Sequence, residues 1–215
     1  MSPVTAFDGQ ENTYVSPRVE RTRQRALLAG REILLTEGWD ALTQRRVAEV
    51  GGIGRATVYR HWPDRNSLLQ DVCTAELDRV RTVPTGNLRR DLCAQLKMMR
   101  REFIEGGFDK VVVALTERCF WDPDLLPVKQ RIVEYGTAPV RNILAAGVER
   151  GELVRKLDLD EAIGVLAGPL LYQHLFAGRH ASDAAITRSV EDFLTLRRTR
   201  SRQAARLTPR DSSRP

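Results

Sequence analysis

The sequence offers little material for covalent or metal chemistry. Three of its 215 residues are cysteine and three are histidine. Cys73, Cys93 and Cys119 are far apart, odd in number and without a CxxC pair, which argues against a disulfide framework or a zinc site and leaves small, apolar, reduced thiols. His61, His174 and His180 are scattered and no Glu-x-x-His pair occurs, so a di-metal helical-bundle enzyme lacks ligands despite the carboxylates Glu102, Glu105, Asp122 and Asp124. No catalytic residue, cofactor or metal is expected. Long apolar runs are missing too. None approaches the roughly 18 residues of a membrane span, and the opening MSPVTAFDGQENTYVS has neither the basic start nor the apolar centre of a secretory signal. A cytoplasmic protein without membrane contact is expected. Strict alternation of apolar and polar residues is also absent over any length that would demand a sheet.

What is present suits a globular protein. Apolar residues make up 42% of the chain and charged residues 29%, and the length allows an ordinary core without disulfide or metal staples. The charge is unevenly placed. Residues 18–81 carry 12 Arg against 9 acids, residues 82–196 carry 15 bases against 16 acids, and residues 197–215 carry 7 Arg against one Asp. A cationic excess in the first third of the folded region fits contact with a polyanion. Residues 1–17 read as a disordered lead and 197–215 as a basic disordered tail able to add unspecific phosphate attraction.

Between these ends the periodicity is helical. Leu27, Ile33 and Leu34 recur at helical spacing in Arg18–Glu37, and Gly38 stops the run. Thr43 is a good N-cap for a short helix over Gln44–Val50. Gly51 and Gly52 break it, and a third short helix runs over Arg55–Trp62, with Val58 and Trp62 four apart on one face. A fourth, longer helix follows from Asn66 to about Val80. Later helices are expected at Leu88–Ile104, Val111–Arg118, Leu125–Arg150 with a kink at Pro139, Ala162–Phe176 and Ser182–Leu196.

Two short helices joined by a glycine turn in a basic region form a helix-turn-helix, whose second helix enters the major groove. The segment LTQRRVAEVGGIGRATVYRHWPDRNSLL resembles, residue after residue, the DNA-binding segment of TetR-family regulators. The resemblance rests on Thr43, Val47-Ala48, Gly51-Gly52-Ile53, Thr57-Val58-Tyr59-Arg60-His61-Trp62, Arg65 and Leu68-Leu69, and covers about Arg18–Val80. It implies an all-α fold: a three-helix DNA-binding domain joined by a fourth helix (18–81) to a larger helical ligand-binding and dimerisation domain (82–196).

At the start of the recognition helix, Arg55 is the candidate for bidentate contact with guanine, and Ala56 or the Thr57 methyl for contact with thymine. Arg60 suits a base or a phosphate. Thr43, Tyr59, His61 and Arg65 match family positions that hold the phosphate backbone, and Arg45 joins them as a DNA-binding candidate. Gly54 stands where many relatives have Ser, which removes a side-chain cap; replacing such a cap by Gly costs only about a few tenths of a kcal/mol.

The family resemblance also implies a homodimer on palindromic double-stranded operator DNA, released by a small apolar effector. The run LAGPLLYQHLFAGR followed by Ser182-Asp183 is similar to the carboxy-terminal domain of one subgroup. Leu166, Leu170, Leu171, Ile186, Val190 and Phe193 are the candidate dimer interface, with monomer core as the competing reading. Met98, Met99, Phe103, Phe120, Trp121 and Tyr135 are candidates for the ligand pocket, with core filling as the competing reading for each. The alternative is a dimeric DNA-binding protein with no effector.

Overall fold

A computed structural model describes residues 17–77 and 81–198, without the side chain of Glu76. The expected lead and tail lie outside the described residues except at their inner ends. There Pro17 starts a helix, while Arg197 and Arg198 are held by the Val154 N–H donating to the Arg197 carbonyl and by an isolated bridge from Leu153 to Arg198. Those three residues are therefore part of the fold, a correction to both boundaries.

Nine α-helices and no strand occur among the described residues. They are α1 (Pro17–Thr36), α2 (Gln44–Gly51), α3 (Arg55–His61), α4 (Arg65–Leu77), α5 (Leu88–Arg101), α6 (Phe108–Arg118), α7 (Leu126–Glu149), α8 (Leu159–Leu175) and α9 (Asp183–Arg197). The expected helix to Ile104 instead ends its regular part at Arg101 and widens into a π turn over Glu102–Gly106, closed by Gly107 at φ 71°. Pro139 and Pro169 lie inside α7 and α8 without ending them.

Gly30 marks a close helix approach. A Cβ there would lie 2.5 Å from Cγ2 of Val72, so the crossing of α1 over α4 has room only for hydrogen. The core built on that crossing runs through Ile33, Leu42, Val47, Val58 and Leu68 and extends into Phe108, Val111 and Leu115 of α6 and Val128 and Ile132 of early α7. A second core joins Leu88, Leu92 and Leu96 of α5 to Leu144, Leu166, Ile186 and Val190 of α7, α8 and α9. Thus α6 and the first half of α7 pack with the amino-terminal helices although they follow residue 82 in sequence.

The segment between α4 and α5 is fastened to α5 by two buried side chains. Gln95 Oε1 accepts from the N–H and hydroxyl of Thr82, and the Asp91 carboxylate accepts from Thr85 N–H, Thr85 Oγ1 and Gly86 N–H at 2.6–3.0 Å. Burial raises the Asp91 pKa, but those hydrogen bonds and the Arg150 charge outweigh it and leave the carboxyl below its ordinary value.

Candidate nucleic-acid interface

The geometry of α3 follows from three local devices. Thr43 caps α2, its Oγ1 accepting from the Arg46 N–H at 3.1 Å. Gly52 takes the left-handed conformation at φ 58° and ends α2, as a side chain there would be strained. Arg25, from α1, donates to the Gly51 and Gly52 carbonyls at 2.7 and 3.3 Å, satisfying acceptors at the end of α2. Helix α3 then starts without a side-chain cap; Gly54 offers only its carbonyl, to the N–H groups of Thr57 and Val58.

Val58 is fully buried and Trp62 nearly so. The Trp62 indole N–H donates to Asp71 Oδ2 at 3.0 Å, and the same oxygen takes Arg23 at 2.8 Å. These contacts lock one face of α3 to the body. On the other side Arg55, Ala56, Tyr59 and Arg60 are exposed, with Thr57 and His61 half-buried beside them. The charges are arranged around Glu49, whose carboxylate lies 3.5–3.7 Å from Arg45, Arg46 and Arg55. Arg46 has a better partner in Glu37 at 2.8 Å, whose carboxyl pKa is lowered chiefly by that hydrogen bond. Among the described residues Arg45 and Arg55 have only the long, exposed contacts to Glu49, and such pairs contribute little. Their guanidinium groups can be exchanged to DNA at small cost.

Arg65 has contacts within the domain that the sequence did not suggest. Its Nε donates to the Leu42 carbonyl at 2.9 Å, Nη2 donates to the Trp39 carbonyl, and the guanidinium stacks 5.7 Å from the Trp39 ring centre. Burial lowers its pKa, opposed by the Asp40 charge and assisted by Arg118. With Nε and Nη2 turned inward, Arg65 ties the start of α4 to the 3-10 turn Trp39–Ala41. Nothing in the sequence marked that turn. The roles of Arg25 and Glu49 were also missed, because each depends on contacts between different helices.

The second domain contains an apolar cavity of about 110 Å³ between α5, α6, α7 and α8, lined by Leu77, Met99, Phe103, Phe108, Ile132 and Leu171 among others. Two of the six candidate pocket residues, Met99 and Phe103, line it. Phe120 and Trp121 do not: they are 80% and 81% exposed at the turn between α6 and α7. Tyr135 packs against the amino-terminal core with Arg81 over its ring at 4.6 Å, and Met98 is half-buried away from the cavity lining. A smaller void shares Met99, Phe103 and Leu171 and adds His174 and His180. Those histidines, scattered in sequence, meet in space with their Nδ1 atoms 3.1 Å apart, and His174 Nε2 lies 2.9 Å from Asp109.

The candidate interface residues are also relocated. Leu166, Leu170, Ile186, Val190 and Phe193 are buried within the single chain, and Leu171 is half-buried on the cavity. The bundle of α5, α8 and α9 consumes those faces. The large apolar side chains left exposed in this region are Val165 and Tyr172 on α8, Phe176 just past its end and Leu196 on α9.

Residues 26–72 match the family model for bacterial regulatory proteins of the tetR family, and residues 82–193 match that for a tetracyclin repressor-like C-terminal domain. The HTH-type transcriptional regulator Mb1581 of Mycobacterium bovis is 31% identical over 182 residues, covering 83% of this chain and 89% of that protein. The DNA-binding transcriptional repressor TetR of Mycobacteroides abscessus is 29% identical over 192 residues, covering 81% and 93%. The crystal structure of the TetR family transcription regulator SCO0332 is similar with a TM-score of 0.67 and 28% identity, covering 81% of this chain and 97% of that one.

Proposed function

This chain belongs to the tetR family of bacterial regulatory proteins, and from that premise we propose that it is a homodimeric repressor reading a palindromic operator and released by a small apolar effector. The observation that carries the reading is the two-sided character of α3. Val58 and Trp62 hold the helix rigidly from behind, and Arg55, Ala56, Tyr59 and Arg60 are exposed on the face opposite. Arg55 reads guanine, Ala56 and Thr57 face a thymine methyl, and Arg60 takes a base or a phosphate. Thr43, Arg45, Tyr59 and His61 hold the backbone and set the register.

The dimer forms through the outward faces of α8 and α9. Val165 and Tyr172 on α8 and Phe176 just past its end are spaced i, i+7 and i+11, and side chains of this size rarely stay wet together. A twofold pairing there presents two α3 helices to one side of a duplex, about 34–36 Å apart for half-sites one helical turn apart.

The effector fills the cavity below α5. Leu77, at the end of α4, is part of the lining, so a ligand that displaces Leu77 moves the helix on which the reading domain is carried. A coupling of about 1–3 kcal/mol weakens operator binding about 5- to 150-fold. The division of labour is then 18–81 for reading and 82–196 for dimerisation and ligand.

Protection mapping of genomic DNA with the purified protein, repeated with apolar compounds that raise its melting temperature, tests this reading. A symmetric protected site lost on ligand addition is expected. Binding to an asymmetric site by a monomer removes the dimer; a symmetric site insensitive to every stabilising compound removes the effector.

A further inference from the structure

Beside the recognition helix is an open groove of about 450 Å³, with Arg18, Thr22 and Arg25 of α1 on one side and Thr57, Arg60 and His61 of α3 on the other. We propose that this groove seats the phosphodiester backbone flanking each half-site, so that α1 is a second DNA-contacting element, with Arg18 as its phosphate ligand. The inference rests on the DNA-binding reading above and extends the contact surface beyond the helix-turn-helix.

Four observations point to that occupant. First, the lining supplies guanidinium, imidazole and hydroxyl donors and no carboxylate, which is the donor set that phosphate oxygens accept from. Second, two of the three groove arginines are left without a carboxylate partner while others in the domain have one; the third, Arg25, donates to the Gly51 and Gly52 carbonyls. Arg23 is paired with Asp71 and Arg46 with Glu37. Arg18 and Arg60, by contrast, have no acidic partner among the described residues.

Third, the groove is continuous with the reading face. Thr57, Arg60 and His61 belong to both, and Arg18, Thr22 and Arg25 are spaced i, i+4 and i+7, so they line one side of α1 turned toward α3. A strand that passes the exposed face of α3 runs into this groove. Its end is kept open by Gly52, where a Cβ would stand 3.1 Å from Arg25 Nη2. Fourth, the shape excludes an enclosed small molecule. The groove is open along its length and mixes polar surface with the apolar side chains of Val19 and Ile53, which suit the carbon face of a deoxyribose.

Salt titration of the full-length dimer on a random-sequence duplex tests the proposal, because a phosphate contact is independent of sequence. Arg18→Ala is expected to make the fall of log affinity with log salt shallower by about one unit per bound subunit. Arg18→Lys keeps the charge and is expected to keep the wild-type slope. Ethylation of the phosphates outside each half-site should interfere with binding of the wild type and not of Arg18→Ala. An Arg18→Ala slope equal to that of the wild type, with unchanged interference, overturns the groove assignment. A wild-type protein that holds no duplex even at low salt overturns the regulator reading itself, so the two failures are distinct.

Discussion

Around α3 almost every side chain has a single place to go, whereas along α8 the same helical spacing leaves two. Helix α3 spans seven residues, and with Val58 and Trp62 turned into the core the remaining positions are directed outward by geometry alone. Helix α8 spans 17 residues that are apolar nearly all round, so its periodicity identifies faces without saying what each face meets. Leu166 and Leu170 turn inward to α5 and α9, and Val165, Tyr172 and Phe176 turn out. A short helix in a small core reveals its partners; a long apolar helix in a bundle reveals only that it has some.

Two substitutions on α8 sharpen that contrast and carry the largest expected effects. Leu166→Ala removes a fully buried side chain from the second core and should destabilise the subunit by about 2–5 kcal/mol. Chemical denaturation at several protein concentrations measures it, and the loss should persist where the protein is wholly dimeric. Tyr172→Asp should do the reverse: it leaves the helical content and subunit core intact and weakens the dimer, seen as a monomer peak in sedimentation velocity. If Leu166→Ala produced folded monomers and Tyr172→Asp left the dimer untouched, the inward and outward faces would have to be exchanged.

The same contrast explains what could be read from residues alone. The helix order, the Thr43 cap, the Gly52 turn and the burial of Val58 and Trp62 were legible because each follows from spacing within ten or so residues. Phe120 and Trp121 were misread as pocket lining because their exposure depends on where α6 ends against α7. The joining of His174, His180 and Asp109 was hidden because α6 and α8 are distant in sequence. So was the membership of α6 in the amino-terminal core, which rests on α6 packing against α1.

Arg65 and Arg55 divide along the same line, with intermediate effects. Arg65→Ala leaves the Leu42 carbonyl without its donor and the Trp39 carbonyl with only the Leu42 N–H, and removes the stack on Trp39. A loss of about 1–2 kcal/mol of domain stability is expected for this partly exposed group, with the salt slope of DNA binding unchanged. Arg55→Ala should leave the melting temperature alone and cost about 1–3 kcal/mol in specific binding, relaxing the choice at one base pair of each half-site. Melting curves and binding to a panel of single-base operator variants separate the two. A reduced salt slope with normal stability for Arg65→Ala would instead identify it as a phosphate ligand.

The smallest expected effect concerns the first residue before α3. Gly54 has φ −59° and ψ 130°, a conformation open to any L residue, and a Cβ added there would approach nothing closer than Thr57 Oγ1 at 3.7 Å. Gly54→Ser therefore introduces no strain and supplies an acceptor for the N–H groups at the start of the helix. The gain is limited because the Gly54 carbonyl already accepts from Thr57 and Val58. Stability should rise by about a few tenths of a kcal/mol, near the resolution of a denaturant titration. Operator choice should not change, since the packing of Val58 and Trp62, and not the cap, sets the angle of α3. A change in base preference at the position read by Arg55 would mean that the missing cap leaves the helix start free to adjust on DNA. The reading end of α3 would then be less strictly placed than its buried face.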